Sequence, residues 1–84
     1  MNIYVGNLDY EVNETDLVDI FEEYGTISSS KIIIDKFSGR SKGFGFVTME
    51  NPDEANKAIK ELNGATFENR DIVVNEAKPK RTDY

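Results

Sequence analysis

An α+β fold, in which one antiparallel four-stranded sheet carries two helices on one face, is predicted by three features of this sequence. Strand-like and helix-like apolar patterns follow one another in the order strand, helix, strand, strand, helix, strand. The length of 84 residues is enough for one core and too short for two. The strands are aliphatic on one face only, so both helices must cover that face.

The first strand covers residues 3–5, whose outer two side chains face the core while Tyr4 faces outward. Residues 6–9 interrupt the strand. We expect Leu8 to fold back under the sheet and Tyr10 to cap the edge of the following helix.

The first helix is predicted to begin at Asn13, a good N-cap residue, with Asp16 at the positive helix end. Apolar residues spaced i, i+3, i+4 and i+7 then give one buried stripe, formed by Leu17, Ile20, Phe21 and Tyr24. Gly25 should end the helix in a left-handed conformation. Acidic residues between positions 11 and 24 fall mainly on the other faces, where a solvated helix surface explains them.

The second strand covers residues 27–34, and alternation assigns Ser30 and Ile32 to the core. A polar, basic loop over residues 35–41 follows it. Phe37 on this loop is either an exposed ligand contact or a side chain packed under the loop.

The third strand, residues 42–49, is the stretch around which the rest is organised. Its core face carries Gly43, Gly45, Val47 and Met49, and its other face carries Lys42, Phe44, Phe46 and Thr48. Two rings beside a lysine form a flat apolar platform with a charge at its rim. Such a platform suits nucleobases, because every base has a π-face and a phosphate attached. The alternative is that the two rings belong to the core.

The second helix begins with Asn51 as N-cap and Pro52 at the first helical position. Its apolar stripe is formed by Ala55, Ala58, Ile59 and Leu62, and residues 63–64 end it. A small ribbon turn around Glu68 and Asn69 should follow.

The last strand covers residues 72–77, with Ile72 and Val74 inward and Val73 and Asn75 outward. The strands and helices therefore follow the order βαββαβ, which is the split βαβ or ferredoxin-like fold. We expect residues 1–78 to form a single domain and residues 79–84 a flexible tail. The sheet face that carries no helix stays exposed to solvent. An exposed apolar patch on a small domain indicates a binding partner.

Composition excludes several kinds of chemistry. The chain has no histidine and no cysteine, so the commonest general base and metal ligand and any thiolate site are missing. A carboxylate cluster of Asp16, Asp19 and Glu23, or a Ser41-Lys42 pair, has no orienting base and no metal-ligand spacing. We therefore predict no catalytic residues, no metal and no cofactor.

The charge of −6 is distributed unevenly. The first helix region is acidic, whereas the segment 31–42 is basic, and the C-terminal tail adds further cations. At a Debye length of about 8 Å, an acidic helix on the far side of a small domain is largely screened from a ligand on the near side.

The sequence shows no pattern typical of a targeting signal or a membrane-spanning segment. No apolar run approaches the roughly 18 residues needed to span a bilayer, and no signal peptide pattern precedes the first strand. We expect a cytoplasmic protein without a membrane partner, or a nuclear one in a eukaryote.

The chain resembles the RNA recognition motif (RRM) family. Residues 42–49 match the family's longer signature, K/R-G-F/Y-G/A-F-V-x-F/Y, at every defined position except the last, where Met49 faces the core. Residues 3–8 match the shorter signature on the first strand, and the likeness extends over residues 2–78. Asn69 stands where the family usually has glycine, and asparagine tolerates the left-handed geometry of such a turn. In size the chain is similar to small stand-alone RRM proteins.

The resemblance implies a monomeric module that binds single-stranded RNA, with single-stranded DNA as an open alternative. It implies that Tyr4 and Phe46 each stack on a base, that Phe44 packs against the sugars and that Lys42 contacts phosphate. Further RNA contacts are expected from Asn7, Lys31, Arg40, Asn75 and Lys78.

A protein-interaction module is the competing hypothesis. Some RRM-like domains bind a basic peptide through an acidic first helix and a loop Arg-x-Phe motif. This chain has the acidic helix, but Arg70 is followed by Asp71 and Ile72, so the loop motif is absent. A basic protein could still bind the helix while RNA occupies the sheet.

Overall fold

The computed structural model describes residues 1–77, and its elements follow the predicted order. They are β1 (Asn2–Gly6), α1 (Glu14–Phe21), β2 (Ile27–Ile34), β3 (Ser41–Met49), α2 (Pro52–Leu62), the short strands β4 (Thr66–Phe67) and β5 (Arg70–Asp71), and β6 (Val73–Glu76). The predicted RNA contact Lys78 and the predicted tail lie outside the described residues.

The main sheet has the strand order β2-β3-β1-β6, and every neighbouring pair is antiparallel. The short strands β4 and β5 form a separate two-stranded ribbon. This arrangement confirms the predicted α+β, ferredoxin-like fold with two helices.

The core lies between the sheet and the helices and takes most of the alternate residues that the sequence assigns to it. Ser30 is the exception in β2, since it is only half-buried and its hydroxyl donates to the Glu14 carbonyl at 3.4 Å. It is formed by Ile3, Val5, Leu8, Val12, Leu17, Phe21, Ile32, Val47, Met49, Ala55, Ala58, Leu62, Ile72 and Val74. Met49 is fully buried, so its departure from the usual aromatic residue concerns packing. Leu8 folds under the sheet as expected, whereas Val12 is a core residue that the helical spacing did not single out.

Helix α1 begins as predicted and ends earlier than predicted. The Asp16 amide donates to the Asn13 side chain at 2.9 Å and the Asn13 amide donates to the Asp16 carboxylate at 3.0 Å, a capping box. The helix stops at Phe21, and the Tyr24 amide donates to the Phe21 carbonyl at 2.9 Å in a tighter turn.

Gly25 is not left-handed, so the predicted glycine cap is wrong. The physical reason for glycine here is space. A Cβ atom at Gly25 would collide with the side chain of Glu54 in α2. The close approach of the two helical segments therefore explains this glycine better than a helix cap does.

The second half of the chain follows the sequence pattern closely. The Asn51 side chain accepts from the amides of Asp53 and Glu54, at 2.9 and 3.2 Å. Gly64, just after α2, is left-handed with φ 85°. Glu68 and Asn69 both have positive φ, 52° and 64°, the backbone geometry that a tight two-residue hairpin requires. The turn therefore forms with Asn69 in place of glycine.

No helix within residues 1–77 is long and apolar enough to span a membrane.

Candidate nucleic-acid interface

Three aromatic rings form a cluster on the sheet face opposite the helices. Tyr4 projects from β1, and Phe44 and Phe46 project from β3. Their ring centroids are 5.8 Å (Tyr4–Phe44), 5.9 Å (Tyr4–Phe46) and 6.1 Å (Phe44–Phe46) apart. All three are half-buried and none belongs to the core. The alternative that the rings belong to the core is therefore wrong. We call this cluster the aromatic face.

A single row of residues crosses all four strands of the sheet through two of these rings. In the strand register, Phe46 pairs with Lys31 of β2 on one side and with Tyr4 of β1 on the other, and Tyr4 pairs with Asn75 of β6. Directly opposed residues on neighbouring strands have Cβ atoms about 5 Å apart. The two rings are thus flanked by an exposed ammonium group on one side and an exposed amide on the other.

Gly6 provides the space that the Tyr4 ring occupies. A Cβ atom at Gly6 would lie 2.8 Å from both Cε1 and Cζ of Tyr4 and closer still to its hydroxyl oxygen. The ring therefore lies along β1 and covers Gly6, which is buried. A larger residue at this position would push the ring away from its present orientation.

The side chain of Asn7 is partly committed to the neighbouring ribbon. Asn7 has a left-handed backbone, with φ 57°. Its Nδ2 atom donates to the carbonyl oxygen of Asp71 at 2.7 Å, and its Oδ1 atom lies 3.5 Å from Nη2 of Arg70. Asn7 therefore ties the end of β1 to β5 and brings the Arg70 guanidinium to the rim of the aromatic face.

The β2–β3 loop is a closed turn that carries exposed side chains. The Asp35 amide donates to the Arg40 carbonyl, and the Gly39 amide donates to the Asp35 carbonyl, both at 2.8 Å. Phe37 is 102% exposed at the tip, so it is not packed under the loop. Arg40 is also exposed.

Shallow grooves border the aromatic face at both ends. One, of about 340 Å³, is lined by Asn2, Ser29, Lys31, Phe46, Thr48 and Ala77. A second, of about 750 Å³, is lined by Tyr10, Asp35, Ser38, Arg40, Ser41, Lys42 and Phe44. A third, of about 270 Å³, is lined by Tyr4, Asn7, Leu8, Tyr10, Lys42, Gly43, Phe44 and Arg70.

These grooves are lined by most of the predicted site residues and by Tyr10 and Arg70, which the sequence analysis did not name as site residues. Lys42, Arg40 and Phe44 share one groove, while Lys31 and Asn75 stand at opposite sides of the sheet. Tyr10 is 65% exposed; it lines two grooves beside Phe44 and a further groove together with Asn13 and Glu14 at the start of α1. Arg70 reaches the rim from the ribbon, a contact that no local sequence signal indicates.

Within residues 1–77 no group of three or more metal-ligating side chains is assembled. Asp16, one of the carboxylates considered for catalysis, accepts the Asn13 amide in the helix cap. Its position is explained by helix capping.

Comparison with known proteins identifies relatives over almost the whole chain. The family model described as RNA recognition motif matches residues 3–73. RbpA of the cyanobacterium Synechocystis sp. is 48% identical over 80 residues, which cover 95% of this chain and 79% of that one.

Two solved structures also resemble this chain over nearly its whole length. The crystal structure of RNA binding protein PG1 superposes with a TM-score of 0.92 at 46% identity, and covers 98% of this chain and 99% of its own. A structure of the Sxl-lethal protein/RNA complex has a TM-score of 0.89 at 31% identity and covers 95% of this chain and 48% of its own.

Proposed function

Because the chain belongs to the RNA recognition motif family and is an RNA-binding module, we propose that it stacks two RNA bases on Tyr4 and Phe46. The observation that carries this proposal is the aromatic face itself, three adjacent rings on the side of the sheet that no helix covers. Aromatic rings held in place by a sheet are good stacking partners, because little conformational freedom is lost when a base binds.

The other predicted residues take their roles from their positions around the rings. Phe44 is 5.8 Å from Tyr4 and 6.1 Å from Phe46, so its ring can contact the sugars that link two stacked bases. Lys42 and Arg40 line one groove and would hold phosphates there. Lys31 and Asn75 end the cross-strand row, where they can reach base edges or backbone.

Asn7 can act only with what its structural contacts leave free. Its Nδ2 atom already donates to Asp71, so the Oδ1 atom, which makes one long contact to Arg70, is the group available to accept from a base. We therefore expect Asn7 to contribute less to RNA affinity than the other proposed contacts.

Single strands are favoured over duplexes for a geometric reason. Bases in a helix are paired and stacked on one another, so their faces cannot reach a flat sheet. Stacking contributes roughly 1–3 kcal/mol per base, and neutralising a few phosphates adds a salt-dependent term. Ordering the flexible RNA strand offsets part of this energy. We therefore expect roughly micromolar affinity, a binding free energy of about −8 kcal/mol, for three or four nucleotides.

Titration of labelled oligoribonucleotides tests the proposal. Phe46→Ala and Tyr4→Ala should each weaken binding by about 5- to 150-fold, the equivalent of losing one stacked base. Lys57→Ala changes an exposed side chain of α2, on the helix side of the sheet, and is the control, expected within about twofold of the parent. Unchanged binding in both ring variants would defeat the stacking proposal. DNA of the same sequence measures how much the 2′-hydroxyl contributes.

Four further properties belong to the same proposal. The module acts without catalysis, as a monomer, as one domain over residues 1–78 and in the cytoplasm. Membership of the RNA recognition motif family supports the first of these. The competing protein-interaction hypothesis is not favoured, because the relatives are RNA-binding proteins and the aromatic face is intact.

A further inference from the structure

Tyr10 is a large aromatic side chain that neither the core nor the aromatic face accounts for. It lies in the loop between β1 and α1 and is 65% exposed. Its Cε1 atom lies 3.9 Å from the position that a Cβ atom on Gly43 would take, so the ring stands beside the start of β3. This exposed ring therefore lies beside the two grooves that Phe44 also lines.

The main chain around Tyr10 is held in place on both sides. The Leu8 amide donates to the Gly43 carbonyl at 2.8 Å and joins the loop to β3. The Val12 amide donates to the Asp9 carbonyl at 3.0 Å, and the Glu11 amide donates to the Asp9 carboxylate at 2.9 Å. The ring therefore projects from an ordered turn, and it loses little freedom when it binds a flat ligand.

Tyr10 also lines two of the grooves at this end of the sheet. Lys42 and Phe44 line both grooves, Arg40 lines the larger and Arg70 lines the smaller. Three cations thus line the grooves beside the ring, together with the carboxylate of Asp35. On the other side, Asp9 and Glu11 flank Tyr10 in the chain, and Glu14 lines a further groove with it. The Asp35 carboxylate already accepts the Phe37 amide at 2.8 Å. An exposed ring that shares two grooves with Phe44 and Lys42 fits a base with its phosphate.

We propose that Tyr10 is an additional base-stacking position, which holds one nucleotide beyond the three or four on the sheet. This inference rests on the proposed function, because the extra nucleotide must belong to a strand already held by the aromatic face. The phosphate on either side of that nucleotide is held by Lys42 together with Arg40 or Arg70.

Chain length separates this position from the main site. Randomised oligoribonucleotides of four and of eight nucleotides are titrated against the parent protein, Tyr10→Ala and Tyr10→Phe. We expect Tyr10→Ala to bind the tetramer within about twofold of the parent and the octamer at least fivefold more weakly, the loss for one stacked base. Tyr10→Phe keeps the ring and should match the parent on both lengths. The urea unfolding midpoint of each variant verifies the fold.

Each other result has a distinct meaning. If Tyr10→Ala matches the parent on both lengths, the position does not stack a base. If it weakens both lengths equally, Tyr10 belongs to the main site and the extension is wrong. If the parent binds neither oligonucleotide, the proposed function itself fails, and that result is distinguishable from the first two.

Discussion

Phe46 and Val47 are neighbours on the same strand and belong to opposite surfaces of the sheet. Val47 is completely buried under the helices, whereas the larger and equally apolar Phe46 lies half-buried on the face that no helix covers. Side-chain size and apolarity therefore do not decide where a residue lies. The alternation of the strand decides it, together with which face the helices cover. The helix-covered face holds the fold, and the aromatic face is left to bind a ligand.

The largest expected effect separates the two faces by stability. Phe21 lies in α1 and is completely buried. Phe21→Ala should lower the unfolding free energy by about 3–5 kcal/mol, because the substitution leaves a cavity in the core. Phe46→Ala removes the same side chain from the uncovered face and should cost clearly less. Urea unfolding measures both, with Phe37→Ala, exposed at the loop tip, expected within about 0.5 kcal/mol of the parent. Equal losses for Phe21 and Phe46 would contradict the distinction between the faces.

Most of this distinction could be predicted from the sequence, because it depends on local periodicity. Alternation along β1 and β3 places Tyr4, Phe44 and Phe46 together, and antiparallel pairing of these strands makes them neighbours. The two apolar stripes likewise predict which faces of the helices are buried. Each of these features repeats within a few residues and needs no knowledge of distant contacts.

The features that the sequence did not predict depend on contacts between distant segments. The sequence pattern predicts that Gly25 is a helix cap. In the structure, the residue that requires glycine there is Glu54, which follows 29 positions later in the sequence and leaves no room for a Cβ atom. The sequence pattern places Tyr10 at the helix edge and does not predict that the hydrogen bond from Leu8 to Gly43 also joins its loop to β3. Arg70 reaches the aromatic face because Asn7 binds its ribbon. Such contacts leave no periodic signal.

A smaller effect tests how the aromatic face is kept in shape. Gly6→Ala adds one methyl group where the Tyr4 ring now lies, so the ring must move. We expect RNA affinity to fall several-fold, up to the loss expected for Tyr4→Ala, because stacking on that ring is weakened. Gly25→Ala is the matched control, since its added methyl group meets the Glu54 side chain on the helix side. Titration of both variants checks this, and equal affinities would show that the Tyr4 orientation is unimportant.

The smallest effect concerns charge, which the two faces carry differently. The net charge is −6, yet Lys42 lies beside the aromatic face, whereas Lys57 lies exposed on α2 and the acidic residues of α1 lie on the helix side. If Lys42 neutralises one phosphate, Lys42→Gln should flatten the plot of log affinity against log salt by about 0.7. Lys57→Gln makes the same charge change on the other side and should leave the slope as it was, because screening over about 8 Å isolates it from the strand. Titrations at several salt concentrations measure both slopes. A common slope change would mean that net charge, and not the position of each cation, governs RNA binding.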